Sequence, residues 1–326
     1  MTNSALRSPV FEGVLSTSEL PRFINGWILD GQYRQLSKQT LTARRCVTER
    51  LVWWLRREGL DGCSAAEIKG FLCYVTTGHT EPGGRYGIAN LNKPVRTRTV
   101  KDTHGILRSF FLWIVAEGYI PASPMATVKA PIHRPDQIQP FTEEQVSDLI
   151  RAAKKGRNPK RDEALIMFML DTGVRASELC GIDLNDLDIV NRKVIVLGKG
   201  NKHRAVYFGR ETGRTLWAYV REEGIEGTSP LFQSGRGGRF SRSGLRQLFE
   251  RLGHEANLEA TRCSPHTLRH TFAVMFLRAG GSVFSLREML GHTDLSMTNR
   301  YVSLAQADVQ NQHRQFSPVE RLRGRK

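Results

Sequence analysis

Apolar residues in the first third of the chain recur at three- and four-residue spacing, the period of an amphipathic helix. Leu20, Phe23, Trp27 and Ile28 share one face of SELPRFINGWILDG, with Ser18 as the expected N-cap. Val47, Leu51, Trp54 and Leu55 make the next stripe, and Arg44, Arg45, Arg56 and Arg57 fall largely elsewhere around that helix. A third helix near 64–74 carries Ile68, Phe71 and Leu72, and a fourth, from about 98 to 117, carries Val100, Leu107, Phe111 and Ile114. Between the last two, the Gly-, Pro- and Asn-containing stretch 77–95 reads as an extended loop, of a length that tends to be functional or mobile.

The pattern changes after residue 120. Pro121, Pro124, Pro131, Pro135 and Pro140 punctuate the chain, and proline stiffens an extended connection. Thr142 and Gln145 then form a capping-box pattern that restarts a helix over 142–154. A second helix covers 160–172. RKVIVLGKGNKHRAVYF alternates around a Gly-Lys-Gly-Asn turn, which predicts a hairpin. Helices follow near 211–223, 241–256, 265–279 and 283–290, and a short one begun by Asp294 ends near Tyr301. The expected fold is mainly α with a small β-sheet in the C-terminal domain. The boundaries are a helical domain over 17–121, a linker over 122–139, a mixed domain over 140–310 and a basic tail over 311–326.

Charge narrows the partners. With 48 Lys and Arg against 32 Asp and Glu, the formal net charge is +16, and the isoelectric point is about 10.0. Basicity of this size favours polyanions through counterion release and steering. No stretch approaches the roughly 20 apolar residues of a membrane span, and MTNSALRSPVFEG has no signal-peptide layout. A cytoplasmic protein with a nucleic-acid partner is expected. Cys46, Cys63, Cys73, Cys180 and Cys263 are scattered without a CxxC pair, so reduced thiols are expected and a zinc site is not.

Candidate chemistry lies in the C-terminal half. In SPHTLRH, Ser264 suits the N-cap and Pro265 the first helical position, which puts His266 and Arg269 on one face near a positive helix end. An anion would be attracted there by backbone and side chains together. Lys199 sits at the hairpin tip, where an ammonium can neutralise charge and donate a proton. Arg175 and Glu178, three residues apart, read locally as a surface ion pair, and Gly291 in LGH as a helix stop with His292 exposed. Tyr301 alone reads as a packed aromatic with a polar tip. No nucleotide-binding motif accompanies them.

Taken in order, TGVRASEL, LGKGNKHR, SPHTLRH and LGH followed nine residues later by Tyr301 resemble the four boxes of the tyrosine recombinases of the phage-integrase family, close in layout to the Xer-type members. The resemblance covers roughly residues 17–310. It implies a four-helix SAM-like core-binding domain joined to a mixed α/β catalytic domain, the two forming a C-shaped clamp around duplex DNA. It implies that Tyr301 attacks a scissile phosphate to give a 3′-phosphotyrosyl link and a free 5′-hydroxyl. Arg175 and Arg269 would bind the non-bridging oxygens and Lys199 would protonate the leaving oxygen. His266 would accept the tyrosine proton or orient the phosphate, His292 would support phosphate or tyrosine, and Glu178 would brace the pocket. Arg44, Arg45, Arg96, Arg98 and Lys101 are candidate backbone contacts, and Arg242 and Arg246 candidate groove contacts. No cofactor or metal is implied. The implied partners are double-stranded DNA with a short inverted repeat, three further copies of the chain in a tetramer, and an accessory recombinase or directionality factor. Two other classes share these features: a DNA-binding protein that no longer reacts, and a type IB topoisomerase that relaxes DNA without exchange.

Overall fold

The computed structural model describes residues 14–132, 139–198, 202–235, 237–258 and 261–291, together with 298, 299, 301, 302, 313, 317 and 319. The chain divides into two compact units, Met1–Asp136 and Gln137–Lys326.

The first unit opens with β1 (Leu15–Ser16) and α1 (Leu20–Tyr33), followed by α2 (Lys38–Arg57), β2 (Gly62–Cys63), α3 (Ala65–Thr77) and α4 (Thr97–Ala116). The apolar stripes meet as the spacing requires. Leu20, Trp27, Leu51, Leu55, Ile68, Phe71, Leu107, Phe110 and Phe111 are buried in one core. Ser37 caps α2 by accepting from the Thr40 N–H, and Ser64 with Glu67 forms a full capping box on α3. Ser18 does not cap α1. The chain is still held by the antiparallel pairing of β1 with β2, and the Ser18 hydroxyl bonds Ser16 Oγ at 2.7 Å instead.

Two connecting segments are more built than their sequence suggests. The 77–95 loop contains short 3-10 turns at Gly78–Thr80 and Arg85–Gly87, with Tyr86 in the left-handed region at φ 63°. The Tyr86 ring lies against Trp53, Phe71 and Tyr74, the Arg50 guanidinium covers it, and its N–H donates to the Tyr74 hydroxyl at 2.9 Å. That packing offsets the cost of a positive φ in a non-glycine residue. The proline-punctuated stretch after 122 also has anchors, because Met125 and Val128 are buried in the first core and His104 Nε2 bonds the Val128 carbonyl at 2.9 Å.

The second unit comprises α5 (Glu143–Lys155), α6 (Pro159–Thr172), α7 (Ala176–Leu179), β3 (Leu187–Asp188), β4 (Lys193–Leu197), β5 (His203–Tyr207), α8 (Arg210–Glu222), α9 (Arg242–Glu255), α10 (Pro265–Arg278) and α11 (Val283–Leu290). Thr142 and Gln145 make the capping box of α5, and Ser264 caps α10 through the Thr267 N–H. The sheet is antiparallel in the order β3-β4-β5, with Val194 opposite Val206 and both buried. The hairpin expected from alternation is β4–β5. The third strand, two residues long, was too short to show as a pattern. Helix α6 is the centre of the unit: Ala164, Leu165, Ile166, Phe168 and Met169 are all fully buried, and α5, α8 and α10 pack around it. A helix apolar on nearly every side must be covered on every side. Among the described residues the protein is thus mostly helical with two small antiparallel sheets.

Candidate active site

The site lies within the second unit, and a helix end organises it. Helix α11 stops at Gly291, which takes the left-handed conformation at φ 61°. The last carbonyls of a helix have no partner inside it and carry its negative end. Here three consecutive ones each receive a different guanidinium. Arg204 Nε donates to the Met289 carbonyl at 3.2 Å, Arg269 Nη2 to Leu290 at 2.8 Å, and Arg175 Nη2 to Gly291 at 3.0 Å. A side chain at Gly291 would stand 3.2 Å from Arg204 Nε. At the other side of the cluster α6 ends at Gly173, φ 61°, whose carbonyl accepts from Arg269 Nη1 at 2.6 Å. A Cβ there would stand 2.3 Å from the Phe272 ring, so α10 is seated directly over that turn.

One carboxylate ties the cations together. Glu178, on α7, is 3% exposed. Its oxygens accept from Arg204 Nη1 and Nη2 at 2.6 and 2.9 Å, from Arg175 Nη1 at 2.8 Å and from the Arg175 backbone N–H at 2.8 Å. Burial works to raise its pKa, yet the hydrogen bonds from Arg204 and Arg175 outweigh it and hold the carboxyl below its ordinary value. The pair Arg175–Glu178 is therefore an interior brace and not the surface ion pair that its local sequence suggests. Arg204 is a member that the motif reading missed. The alternation of β5 alone does not single it out, since its partner is 26 residues away.

Helix α10 supplies the remaining groups. His266, Arg269 and His270 follow at spacings of three and four and so share a face. Arg269 is 4% exposed; burial, reinforced by Arg175, pulls its pKa down to about 10, which leaves it charged at neutral pH. His266 has an exposed edge, while desolvation on its protein side and the guanidiniums of Arg269, Arg262 and Arg175 lower its pKa below the ordinary value. His270, a second residue missed in the sequence, has its Nδ1 2.7 Å from the Tyr301 hydroxyl. Burial, with His266 and Arg269 adding to it, drives its pKa down to about 4, so the ring is neutral. Tyr301 itself is buried at 4% exposure, packed with Phe272, Ala273, Leu277, Leu286 and Leu290.

The structure therefore brings together Arg175, Glu178, Arg269, His266 and Tyr301 of the sequence-derived set, and adds Arg204 and His270. Lys199 and His292 lie outside the described residues, although Gly198 N–H bonds the Lys202 carbonyl at 2.8 Å across the base of the hairpin turn. Arg242 and Arg246 sit exposed at the start of α9, with Arg246 paired with Glu250 at 3.2 Å. In the first unit Arg45, Arg96, Arg98 and Lys101 are exposed, with Arg98 bonded to Asp102 and Arg45 to Glu49. Arg44 differs: its guanidinium lies 4.1 Å from the Trp27 ring centroid, and burial lowers its pKa. Among the described residues, no group of three or more His, Cys, Asp or Glu could hold a metal ion, and no helix is long and apolar enough to cross a membrane.

Comparison with known proteins supplies a family. The chain is 33% identical over 200 residues to tyrosine recombinase XerC of Actinobacillus pleuropneumoniae, covering 61% of this chain and 65% of that protein, slightly under two thirds of its length. It is 29% identical over 276 residues to tyrosine recombinase XerC of Xanthomonas axonopodis pv. citri, covering 83% and 88%. Its fold is shared with a XerH site-specific recombinase bound to palindromic difH substrate, at TM-score 0.67 and 18% identity over 94% of this chain and 85% of the other. The Tn1549 transposon integrase in complex with transposon right end DNA also has TM-score 0.67, at 18% identity over 93% and 100%. The model of the phage integrase family matches residues 139–308, slightly more than half of the sequence and the whole of the cluster just described, and the chain belongs to that family.

Proposed function

We propose that the protein is a site-specific DNA recombinase that cuts and rejoins strands through a phosphotyrosyl intermediate on Tyr301. The observation that carries this reading is two guanidiniums bonded to one buried carboxylate and a third, Arg269, fixed to the same helix end, beside a tyrosine hydroxyl held by an imidazole. Attack on a phosphodiester concentrates negative charge on the non-bridging oxygens as phosphorus becomes five-coordinate. Donors fixed beforehand in a water-poor site stabilise that charge without reorganising. Arg175 and Arg269 take this role; Glu178, Arg204 and the α11 carbonyls hold them in place. Removing either arginine is expected to cost on the order of a hundredfold or more in rate. His266, at the exposed edge of the α10 face, orients the phosphate, Lys199 protonates the leaving 5′-oxygen, and His292 supports the phosphate.

The covalent link keeps the energy of the phosphodiester, so no nucleotide cofactor enters the reaction. A 5′-hydroxyl from a second duplex then attacks the link and completes exchange. The substrate class is duplex DNA with a short inverted repeat, acted on by a tetramer, with an accessory recombinase or directionality factor as a further partner. The basic side chains Arg44, Arg45, Arg96, Arg98 and Lys101 position the duplex through its backbone, with Arg242 and Arg246 at the groove. The net charge of +16 suits a polyanion in a cytoplasmic setting.

The test is capture of protein-linked DNA across the genome of the source cell, with wild type beside Tyr301→Phe. Linked ends clustered at one inverted repeat with wild type, and absent with the variant, are expected. Equal non-covalent footprints from both proteins would replace this reading with plain DNA binding.

A further inference from the structure

The family motif assigns a histidine to the helix of SPHTLRH, but the structure places two on the same face, and they meet different things. His266 has its edge at the surface. His270, one turn further along α10, lies against the phenol: its Nδ1 is 2.7 Å from Tyr301 Oη, and the two ring centroids are 5.5 Å apart at 45°. Resting on the recombinase reading above, we propose that His270 is the catalytic residue that takes the Tyr301 proton during cleavage and returns it during rejoining.

The geometry suits the task. A phenol with an ordinary pKa near 10 is a poor nucleophile at neutral pH, and a base acting on it must already be within hydrogen-bond reach, about 2.6–3.2 Å. A neutral imidazole in the Nε2–H tautomer offers its Nδ1 lone pair to the hydroxyl. Burial near His266 and Arg269 keeps the ring neutral before DNA arrives. Bound phosphate adds negative charge beside the ring and raises its basicity when the proton must move. As the Tyr301 Oη–P bond forms, the phenolic proton passes to His270 Nδ1. The P–O5′ bond breaks, and the departing oxygen takes a proton from Lys199. In rejoining, the attacking 5′-hydroxyl gives its proton to Lys199, and Tyr301 leaves with the proton held by His270. Each half-reaction is the reverse of the other, and no co-reactant is needed.

The neighbours on the α10 face have separate roles. Arg269 is anchored to the Gly173 and Leu290 carbonyls. His270 is one residue on and turns its ring to the tyrosine instead. Helix α10 thus presents phosphate ligands and proton acceptor on one rigid surface.

The experiment uses the full-length protein and a nicked duplex carrying the site at which wild type becomes linked to DNA. His270→Gln keeps a polar side chain of similar size but cannot take up the proton; His270→Ala opens space for added imidazole. Single-turnover formation of the covalent complex is expected to fall on the order of a hundredfold in both variants, with DNA affinity close to wild type. Added imidazole is expected to restore part of the rate to His270→Ala. A duplex with sulfur at the 5′ bridging position has a leaving group that needs no proton. The His270 defect is expected to persist on it, whereas that of Lys199→Ala is relieved. Rates within threefold of wild type for His270→Gln, or a defect that vanishes on the sulfur-containing duplex, would overturn the proposal while leaving the recombinase reading intact. A wild-type protein that links to no DNA would instead remove that reading and this assignment with it.

Discussion

Two buried carboxylates in the second unit are each clamped by two guanidiniums, and only one of them stands at the site. Asp162 is fully buried and accepts from Arg161 at 2.7 and 2.8 Å and from Arg251 at 3.1 Å. Glu178 is nearly as buried and is held by Arg175 and Arg204 at comparable distances. The difference is in what surrounds them. Arg251 also pairs with Glu255 at 2.9 Å, so the Asp162 cluster has two cations and two anions. Among the described residues, the Glu178 cluster sets three cations, Arg175, Arg204 and Arg269, near one anion, and each of the three also donates to neutral backbone carbonyls. A buried ion pair that balances itself joins parts of a fold. One set among guanidiniums gathered at a helix end, next to a tyrosine hydroxyl, is matched to an incoming phosphate gaining negative charge.

The sharpest way to break this comparison is to remove each carboxylate. Asp162→Ala and Glu178→Ala should each lose on the order of 3–5 kcal/mol of stability, because both leave a buried guanidinium uncompensated; denaturant titration measures it. Covalent complex formation per folded molecule should stay within about threefold for Asp162→Ala and fall on the order of a hundredfold for Glu178→Ala. Equal losses of activity would mean that both clusters are structural. A milder change, Arg204→Ala, leaves Arg175 and Arg269 present but frees Glu178 from its two-point hold. Single-turnover cleavage should fall about tenfold, the scale of losing one supporting interaction of 1–2 kcal/mol.

The smallest effect expected is on pH dependence. His270, with its pKa driven down to about 4, is neutral when folded, while the unfolded chain protonates it below about 6.5. The unfolded state then binds more protons, so stability falls as pH drops from 6.5 toward 4. His266 shifts the same way. The Glu178 contribution has the other window: it persists through this range and is lost only below the ordinary carboxylate range. Between pH 7 and pH 5 the His270 part is on the order of 1–2 kcal/mol. Urea midpoints for wild type and His270→Gln should converge as pH falls, and parallel curves would show that the ring is not held neutral.

Local signals made the helices legible. Thr142 with Gln145 and Ser264 before Pro265 are caps that need only neighbours in sequence, and both form. The reading fails where distant chain decides the outcome. Ser18 is drawn away from α1 by Ser16 on a strand whose partner is more than 40 residues on. Tyr86 adopts a positive φ because the aromatic cluster from α2 and α3 receives its ring. Arg204 and His270 matter through contacts with Glu178 and Tyr301 that no local pattern encodes. One signal was available for His270: it lies four residues after His266, and therefore on the same helical face.

The central claim is that Tyr301 becomes joined to DNA, and mass spectrometry of captured complexes tests it most directly. After nuclease and protease digestion, the peptide containing Tyr301 should carry a nucleotide through a 3′-phosphate, and the cut strand should bear a 5′-hydroxyl. An adduct on another residue, or cleavage with Tyr301 unmodified, would contradict the account.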